Sequence, residues 1–390
     1  MTTPGEVLQL IRSGRAASRA DVARLTGLSR TAVSARLGVL VEAGLVRAGE
    51  EQASTGGRPA GGLAFHHEHG VVLAAAIGGS RSQLAVFDLA GHELAASTVD
   101  HEVGAPPDTV MPEAARRLRA LLAGLPDAGA VLGTGISLPG TVDPTRGVSL
   151  DSPVMVGWDG VDLTAFLIDV AADGPGPVLV GNDADVLARS ERLGHAVDHR
   201  DLLVVKASTG LGLGILADGR VVGGHLGAAG EIGHTKVEAA RGKRCRCGDT
   251  GCLETVAAGW SLVAGMGARP DGPAIGHVRD LAALAVAGDA DARAVIRDSG
   301  RALGEVLAVA INLLNPEAVV LGGDMAAAFD VLAAGVRESV YARASALATR
   351  ELRFLPSTYG ERAGLVGCAA MALDRVLSPA AVDAGLAAPR

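Results

Sequence analysis

The sequence is poor in cysteine, with four among 390 residues, and no apolar run approaches the roughly 20 residues of a membrane-spanning helix. No charged-then-apolar export segment stands at its start. These absences argue against a disulfide-stapled secreted scaffold and against a helical membrane protein. The expectation is a cytoplasmic chain with no membrane partner. Acidic residues are also thin at the N-terminal end. The net charge is −8, yet residues 1–60 carry eight Arg against five Asp or Glu, a local excess of three that leaves −11 for the rest. A small basic module therefore precedes an acidic body, which confines any nucleic-acid contact to the module. With 48% hydrophobic and 20% charged residues, the chain has apolar material for two or three packed domains.

The basic module reads as three helices and a wing. Helices are expected over 4–13, 19–25 and 30–43, with Ser18 and Ser29 at N-cap positions, Gly27 in the turn between the last two, and Gly44 closing the third. Val22, Leu25, Leu28, Val33, Leu37 and Leu40 supply one packed face, so the second and third helices form a helix-turn-helix. In that arrangement the third helix enters the major groove, and Ser29, Arg30, Thr31, Ser34 and Arg36 face base edges or phosphates. The glycine-rich stretch ending Gly56-Gly57-Arg58-Pro59 reads as a wing whose Arg58 reaches the minor groove. A helical cap domain with a flexible linker is the plainer alternative. Charge, capping, turn and wing signals coincide here, and they favour double-stranded operator DNA as a partner.

Three of the four cysteines, Cys245, Cys247 and Cys252, fall within eight residues, and His234 is the nearest histidine. This is the ligand count of a closed Cys₃His zinc site. With no open coordination position, one zinc per chain would shape the loop rather than activate water. Gly248 and Gly251 permit tight turns around it, and Arg241, Lys243, Arg244 and Arg246 balance the thiolates. A disulfide or free thiols are the alternative, but adjacent Cys-x-Cys makes a strained bridge.

Beyond Leu63 short apolar runs alternate with helical stretches, an α/β pattern in two similar lobes. Strands are expected over 71–77, 84–87, 130–138, 178–180, 202–206, 214–216 and 318–321, and helices over 112–122, 184–193 and 301–314. Asp218-Gly219 marks a hairpin turn.

Five motifs together carry a resemblance over nearly the full length. They are Glu231-Ile232-Gly233-His234, the Cys245 to Glu254 segment, the Thr209-Gly210-Leu211-Gly212-Leu213-Gly214 loop, Asn182-Asp183-Ala184, and the N-terminal helix-turn-helix. The chain resembles ROK proteins, the group of sugar-responsive repressors and sugar kinases. The resemblance implies an N-terminal winged helix-turn-helix followed by a two-lobed α/β, actin-like, ribonuclease-H-like domain. The boundaries are a DNA-binding domain over 1–66, an N-terminal lobe over 67–185 and a C-terminal lobe with the zinc loop over 186–390, the last helices being placed to pack back on the first lobe.

By the same resemblance Asn182, Asp183, Glu231, His234 and Glu254 line a pocket for a sugar or sugar phosphate, with His234 giving one ring nitrogen to zinc and the other to the ligand. Taken singly, Asp183 reads equally well as a helix N-cap and Glu254 as a solvated carboxylate. In kinases of the family the residue matching Asp183 is the general base. The phosphate loops are degenerate here. The first, around Gly78 and Gly79, has Ala76 where the kinases carry aspartate, and the second, with Thr209, Gly210 and Gly212, is preceded by Ser208 in place of glycine. Gly181 and Val154 depart from the family's usual glutamate and asparagine. The implied function is a sugar-responsive transcriptional regulator, a repressor of carbohydrate genes working as a homodimer or homotetramer, without catalysis. The alternative is an ATP-dependent, glucokinase-like sugar kinase bearing a DNA-binding module.

Overall fold

The computed structural model describes residues 2–49, 62–143, 146–151, 155–267 and 274–387. Its N-terminal module contains α1 (Pro4–Arg12), α2 (Arg19–Thr26) and α3 (Arg30–Glu42), followed by strands β1 (Val46–Gly49) and β2 (Gly62–Phe65). Local chemistry explains each boundary. Thr3 and Glu6 close a capping box on α1, Ser18 accepts from Asp21 N, Ser29 accepts from Ala32 N, and Gly27 ends α2 with φ 70°, a conformation glycine adopts without steric cost. The antiparallel β1 and β2, with Val46 opposite Phe65, form the base of a wing. Arg58 and the glycines before it lie outside the described residues.

Two five-stranded sheets follow. The first contains β3 (Gly70–Ile77), β4 (Arg81–Asp88), β5 (Glu93–Asp100), β6 (Ala130–Leu138) and β9 (Val178–Asn182); the short hairpin β7 (Thr141–Asp143) and β8 (Val148–Asp151) precedes β9. The second contains β10 (Leu202–Ala207), β11 (Leu211–Ala217), β12 (Arg220–Val221), β13 (Ala318–Gly322) and β14 (Arg353–Pro356). Their orders, β5-β4-β3-β6-β9 and β12-β11-β10-β13-β14, are the same topology twice. In each, three antiparallel strands meander and two parallel strands are added beside the first. This repeated order is the ribonuclease-H-like arrangement implied by the motifs.

Helix α4 (Pro107–Ala123) covers the first sheet, with Val110, Met111, Ala114 and Leu118 buried. On the second lobe α6 (Glu254–Ala257), α7 (Gly259–Met266), α8 (Val278–Val286), α9 (Ala290–Leu314), α10 (Phe329–Arg343) and α11 (Ala346–Thr349) surround β13 and β14. The lobes are tied by exchanged helices. Helix α5 (Asp183–Glu191), which follows the last strand of the first sheet, packs Leu187 and Ala188 on Leu202, Val204 and Leu216 of the second. Helix α12 (Ala363–Val376), which follows the last strand of the second, packs Leu365 and Ala369 on Val72, Ala74 and Phe87 of the first. The two helices also meet: a Cβ on Gly367 would lie 1.9 Å from Val186 O. Fully buried Glu191 accepts from Ser357 Oγ (2.9 Å) and Thr358 N (3.0 Å), fixing the end of α5 to the loop before α12.

The chain then crosses to the DNA-binding module. Helix α13 (Pro379–Ala387) inserts Val382 among Val7, Leu8 and Ile11, and Asp383 Oδ1 accepts from Gly5 N at 2.8 Å. Among the described residues no single helix is long and apolar enough to cross a membrane; the α12–α13 pair, bent by 51°, has the composition, but ten residues of α12 are buried in the protein core.

Besides shifted ends such as that of β4, which begins at Arg81 rather than Leu84, three sequence readings differ from the observed elements. The helix expected from Pro112 begins at Pro107, which takes the first-turn position proline favours, while Pro112 sits inside the helix as buried Val110 and Met111 hold the first turn on the sheet. The helix expected over 301–314 begins at Ala290 and runs through Gly300 and Gly304. Those glycines permit close approach of α10, since a Cβ on either would lie 2.4 Å from Leu332 O or 2.6 Å from Val336 O. The strand expected from Gly214 begins at Leu211, so four of the six residues of the expected phosphate loop, Leu211 to Gly214, are sheet.

Candidate functional site

Asn182 ends β9 and caps α5: its Oδ1 accepts from Ala184 N (2.8 Å), and its Nδ2 donates to Gly140 O (2.8 Å). The N-cap reading of Asp183 is thereby corrected, because the preceding residue does the capping. Asp183 instead projects to Lys206 of β10, with Nζ and Oδ2 2.8 Å apart. Sequence reasoning missed Lys206; a lone lysine inside an apolar strand was its only signal. Burial pulls its ammonium down, but Asp183, Asp324 and Glu254 outweigh this and leave it above the ordinary lysine value.

Glu231 precedes the short turn Ile232–His234 and accepts from Thr141 Oγ1 at 3.3 Å, bridging the lobes. Burial chiefly raises its carboxyl, with Asp183 and Glu254 adding to the rise against His234 and Thr141. Glu254 is 7% exposed rather than solvated, which corrects the plainer reading of it. Its Oε1 accepts from Leu211 N (2.8 Å) and its Oε2 from Trp260 Nε1 (3.1 Å). Gly210 and Gly233 leave room for it: a Cβ on Gly210 would lie 2.8 Å from Glu254 Oε1, and one on Gly233 would lie 2.9 Å from its Cγ. Glu254→Ala leaves one buried and one part-buried donor unpaired. Its expected cost is about 2–5 kcal/mol in a urea melt, and a loss under about 0.5 kcal/mol would show that the carboxylate bears no structural weight.

Asp185, one turn into α5, has a buried Oδ1 without a hydrogen-bond partner among the described residues. Burial, with Asp183 and Glu231 adding to it against Arg189, raises its carboxyl to about 6. A carboxyl whose folded value exceeds its unfolded one favours the folded state when protonated; that contribution is complete below about pH 4 and lost as the pH rises through about 6. Asp185→Asn should therefore stabilise the protein by up to about 3 kcal/mol at pH 7.5 and by little at pH 4. Equal gains in denaturant melts at both pH values would refute this origin.

The metal-ligating cluster assembles as the spacing suggested. His234, Cys245, Cys247 and Cys252 present donor atoms within 4.8 Å of one another. Cys247 Sγ and Cys252 Sγ are 3.8 Å apart, and Cys245 Sγ is 3.9 Å from His234 Nδ1. A tetrahedral ion with arms of about 2.3 Å to sulfur has edges of about 3.8 Å, so the residues fit a bound metal. Lys236 Nζ lies 3.0 Å from Cys252 Sγ and 2.5 Å from Asp249 Oδ2. Burial pushes the Cys245 thiol up to about 12, whereas Cys247 is lowered, against its own burial, by the Asp249 backbone amide and the neighbouring sulfurs. Since Nδ1 of His234 faces the sulfurs, Nε2 is the nitrogen left for another partner.

On the DNA-binding module Ser29, Arg30, Thr31 and Ser34 are exposed along the start of α3. Arg36 is not on that face: its Nε donates to Thr2 O (2.5 Å) and its Nη1 to Ala32 O (3.2 Å), because the helix turns it back onto the N-terminal strand of chain. Exposed Arg19 joins the face instead, donating from Nη1 to Ser34 Oγ at 3.2 Å.

The ROK family model matches residues 72–375, and a helix-turn-helix domain model matches residues 3–47. This chain belongs to the ROK family. It is 30% identical to the DNA-binding transcriptional dual regulator NagC of Escherichia coli K12 over 358 residues, 87% of this chain and 84% of that one. A crystal structure of a ROK family transcriptional regulator, homologous to the E. coli MLC protein, superposes with a TM-score of 0.80 at 27% identity and 98% coverage of both chains. The ROK glucokinase of Streptomyces griseus, solved with glucose and AMPPNP, superposes with a TM-score of 0.64 at 27% identity over 77% of this chain and 99% of its own.

Against the ROK kinase pattern, the two degenerate loops take a definite form. Gly78, Gly79 and Ser80 make the β3–β4 turn, where Gly78 N donates to Arg81 O (2.8 Å) and Arg81 Nε to Asp100 Oδ1 (2.7 Å). The side chain of Ala76 faces Gly364 at the start of α12. In the second loop Ser208 Oγ accepts from Asp324 N (2.9 Å) and Leu211 N is taken by Glu254. Gly212 and Gly214, expected to cradle phosphate, lie within β11. They are glycine because α5 presses on them, a Cβ there falling 2.7 Å from Ala184 Cβ or 2.5 Å from Ala188 Cβ.

Proposed function

We infer that the protein is a transcriptional repressor of carbohydrate genes whose affinity for double-stranded operator DNA is set by a sugar or sugar phosphate. The ligand is held between the lobes by Asn182, Asp183, Glu231, His234 and Glu254. The observation that carries this reading is one packed line from that cluster to the DNA-binding module. Asn182 and Asp183 open α5; α5 packs on α12; α12 leads through Leu377 and Ser378 into α13; and α13 completes the core around α1. Arg192 at the end of α5 pairs with Asp374 of α12, and Arg12 of α1 is depressed by burial beside the same aspartate. A sugar that draws the lobes together must move α5 against α12, and the movement reaches α1.

The NagC, N-acetylglucosamine repressor and xylose repressor relatives, the last from Bacillus subtilis, support a repressor with a sugar effector. The zinc assignment rests on the Cys₃His donor set and its spacing. Operator binding by paired heads calls for a homodimer or homotetramer. A kinase is the weaker reading. Ala76 offers no carboxylate for a metal-nucleotide, the Asp324 amide is spent on Ser208, and Asp183 must break its pair with Lys206 before it can take a proton. Fluorescence anisotropy on DNA from upstream of the gene, at fixed salt and with neutral and 6-phosphorylated sugars, tests the reading. Tight sequence-dependent binding shifted by one sugar is expected; weak, salt-sensitive binding indifferent to every sugar would overturn it.

A further inference from the structure

A second cluster of metal-ligating groups lies away from the cysteine loop, where the DNA-binding module joins the first lobe. Asp88 ends β4 with a side chain only 5% exposed. Its Oδ1 accepts from Ala90 N (2.9 Å) and His92 N (2.8 Å), which fixes the turn into β5. Its Oδ2 faces two imidazoles: His67 Nδ1 at 2.8 Å and His92 Nδ1 at 3.0 Å, and the three donor atoms lie within 4.8 Å of one another. His67 belongs to a short turn directly after wing strand β2, and its carbonyl accepts from Leu89 N at 3.0 Å. The cluster thus joins the segment leaving the DNA-binding module to a hairpin of the first lobe.

We propose that His67, Asp88 and His92 form a second, exchangeable site for a divalent first-row transition ion that clamps this joint. Two imidazoles and a carboxylate are the donor set such ions take, with a fourth position left to water. Arms of about 2.0–2.1 Å in a tetrahedron give donor separations of about 3.3 Å, so the two Asp88–imidazole separations of 2.8 and 3.0 Å need open by only a few tenths of an ångström. His92, whose side chain is 73% exposed, leaves a path for entry. The backbone bonds to Asp88 Oδ1 act as the orienting outer shell, holding Oδ2 toward both rings. Without metal both rings donate Nδ1–H to the carboxylate; with an ion at Nδ1 each neutral ring carries its proton on Nε2 instead.

The test is titration of chelator-treated full-length protein with Co(II), measuring bound metal by equilibrium dialysis and thiolate-to-cobalt charge-transfer absorbance. The wild type should bind two equivalents, with the charge-transfer band complete at one. His92→Ala, a change at an exposed side chain, should bind one equivalent with the band unchanged. Cys247→Ser should keep one equivalent with the band lost. Saturation of the wild type at one equivalent, or two equivalents retained by His92→Ala, would overturn the proposal.

Discussion

Cys247→Ser is expected to abolish metal binding by the proposed Cys₃His site and to lower sugar affinity on the order of 100-fold while leaving operator binding by the sugar-free protein intact. The reason is geometric. His234 Nδ1 faces the sulfurs, which leaves Nε2 for the ligand in the proposed site, and Glu231 directly precedes the turn that carries it. The loop is knitted locally by Leu253 N to Thr235 O (2.9 Å) and Val237 N to Gly251 O (3.0 Å), but only a metal joins His234 to three sulfurs at once. Without it Cys245 and Cys252 are buried thiols, and the imidazole is free to rotate. The DNA-binding module has its own core and is joined to the body elsewhere, through α13 and β2, so its operator contact should persist. Elemental analysis, calorimetric sugar titration and operator anisotropy on one preparation decide the matter. Unchanged sugar affinity in metal-free protein would separate the loop from the effector site.

The second large effect concerns Asp183. Asp183→Asn should reduce sugar affinity by about 100- to 1000-fold and destabilise the C-terminal lobe by about 1–3 kcal/mol, because the part-buried Lys206 ammonium loses its nearest carboxylate while Asp324 and Glu254 still favour its charge. Adding Lys206→Met should recover most of the stability and none of the sugar affinity, which separates the structural role of the pair from recognition of a sugar hydroxyl. ADP release by the wild type with ATP and the responsive sugar should stay at the background of uncatalysed hydrolysis. Sustained release abolished by Asp183→Asn would instead establish a kinase.

Capping serines, the Gly27 turn, the hydrophobic face of the DNA-binding module and the Cys₃His spacing were all legible in the sequence, and the structure places them as read. Glycines were not legible in the same way. Gly212 and Gly214 look like a phosphate loop by spacing, yet they are small because α5 crosses them. Arg36 was read as groove-facing, yet it lies off that face of α3, donating to the Thr2 and Ala32 carbonyls. Lys206 gave only the signal of a lone lysine in an apolar strand and Ser208 only that of a departure from glycine, since each acts on a partner outside its own element.

The sequence by itself determined the helices and serine caps of the DNA-binding module and the Cys₃His donor set that could hold a metal. These depend on interactions within a turn or a strand, or on residue chemistry that no alternative packing changes. Tertiary structure alone decided that α5 packs on the second lobe, that Asp183 is paired, and that the C-terminal helix belongs to the DNA-binding module. The bond from Gly5 N to Asp383 Oδ1 spans 378 positions. No spacing rule reaches that far, because contacts of this kind form only when whole apolar faces have found each other.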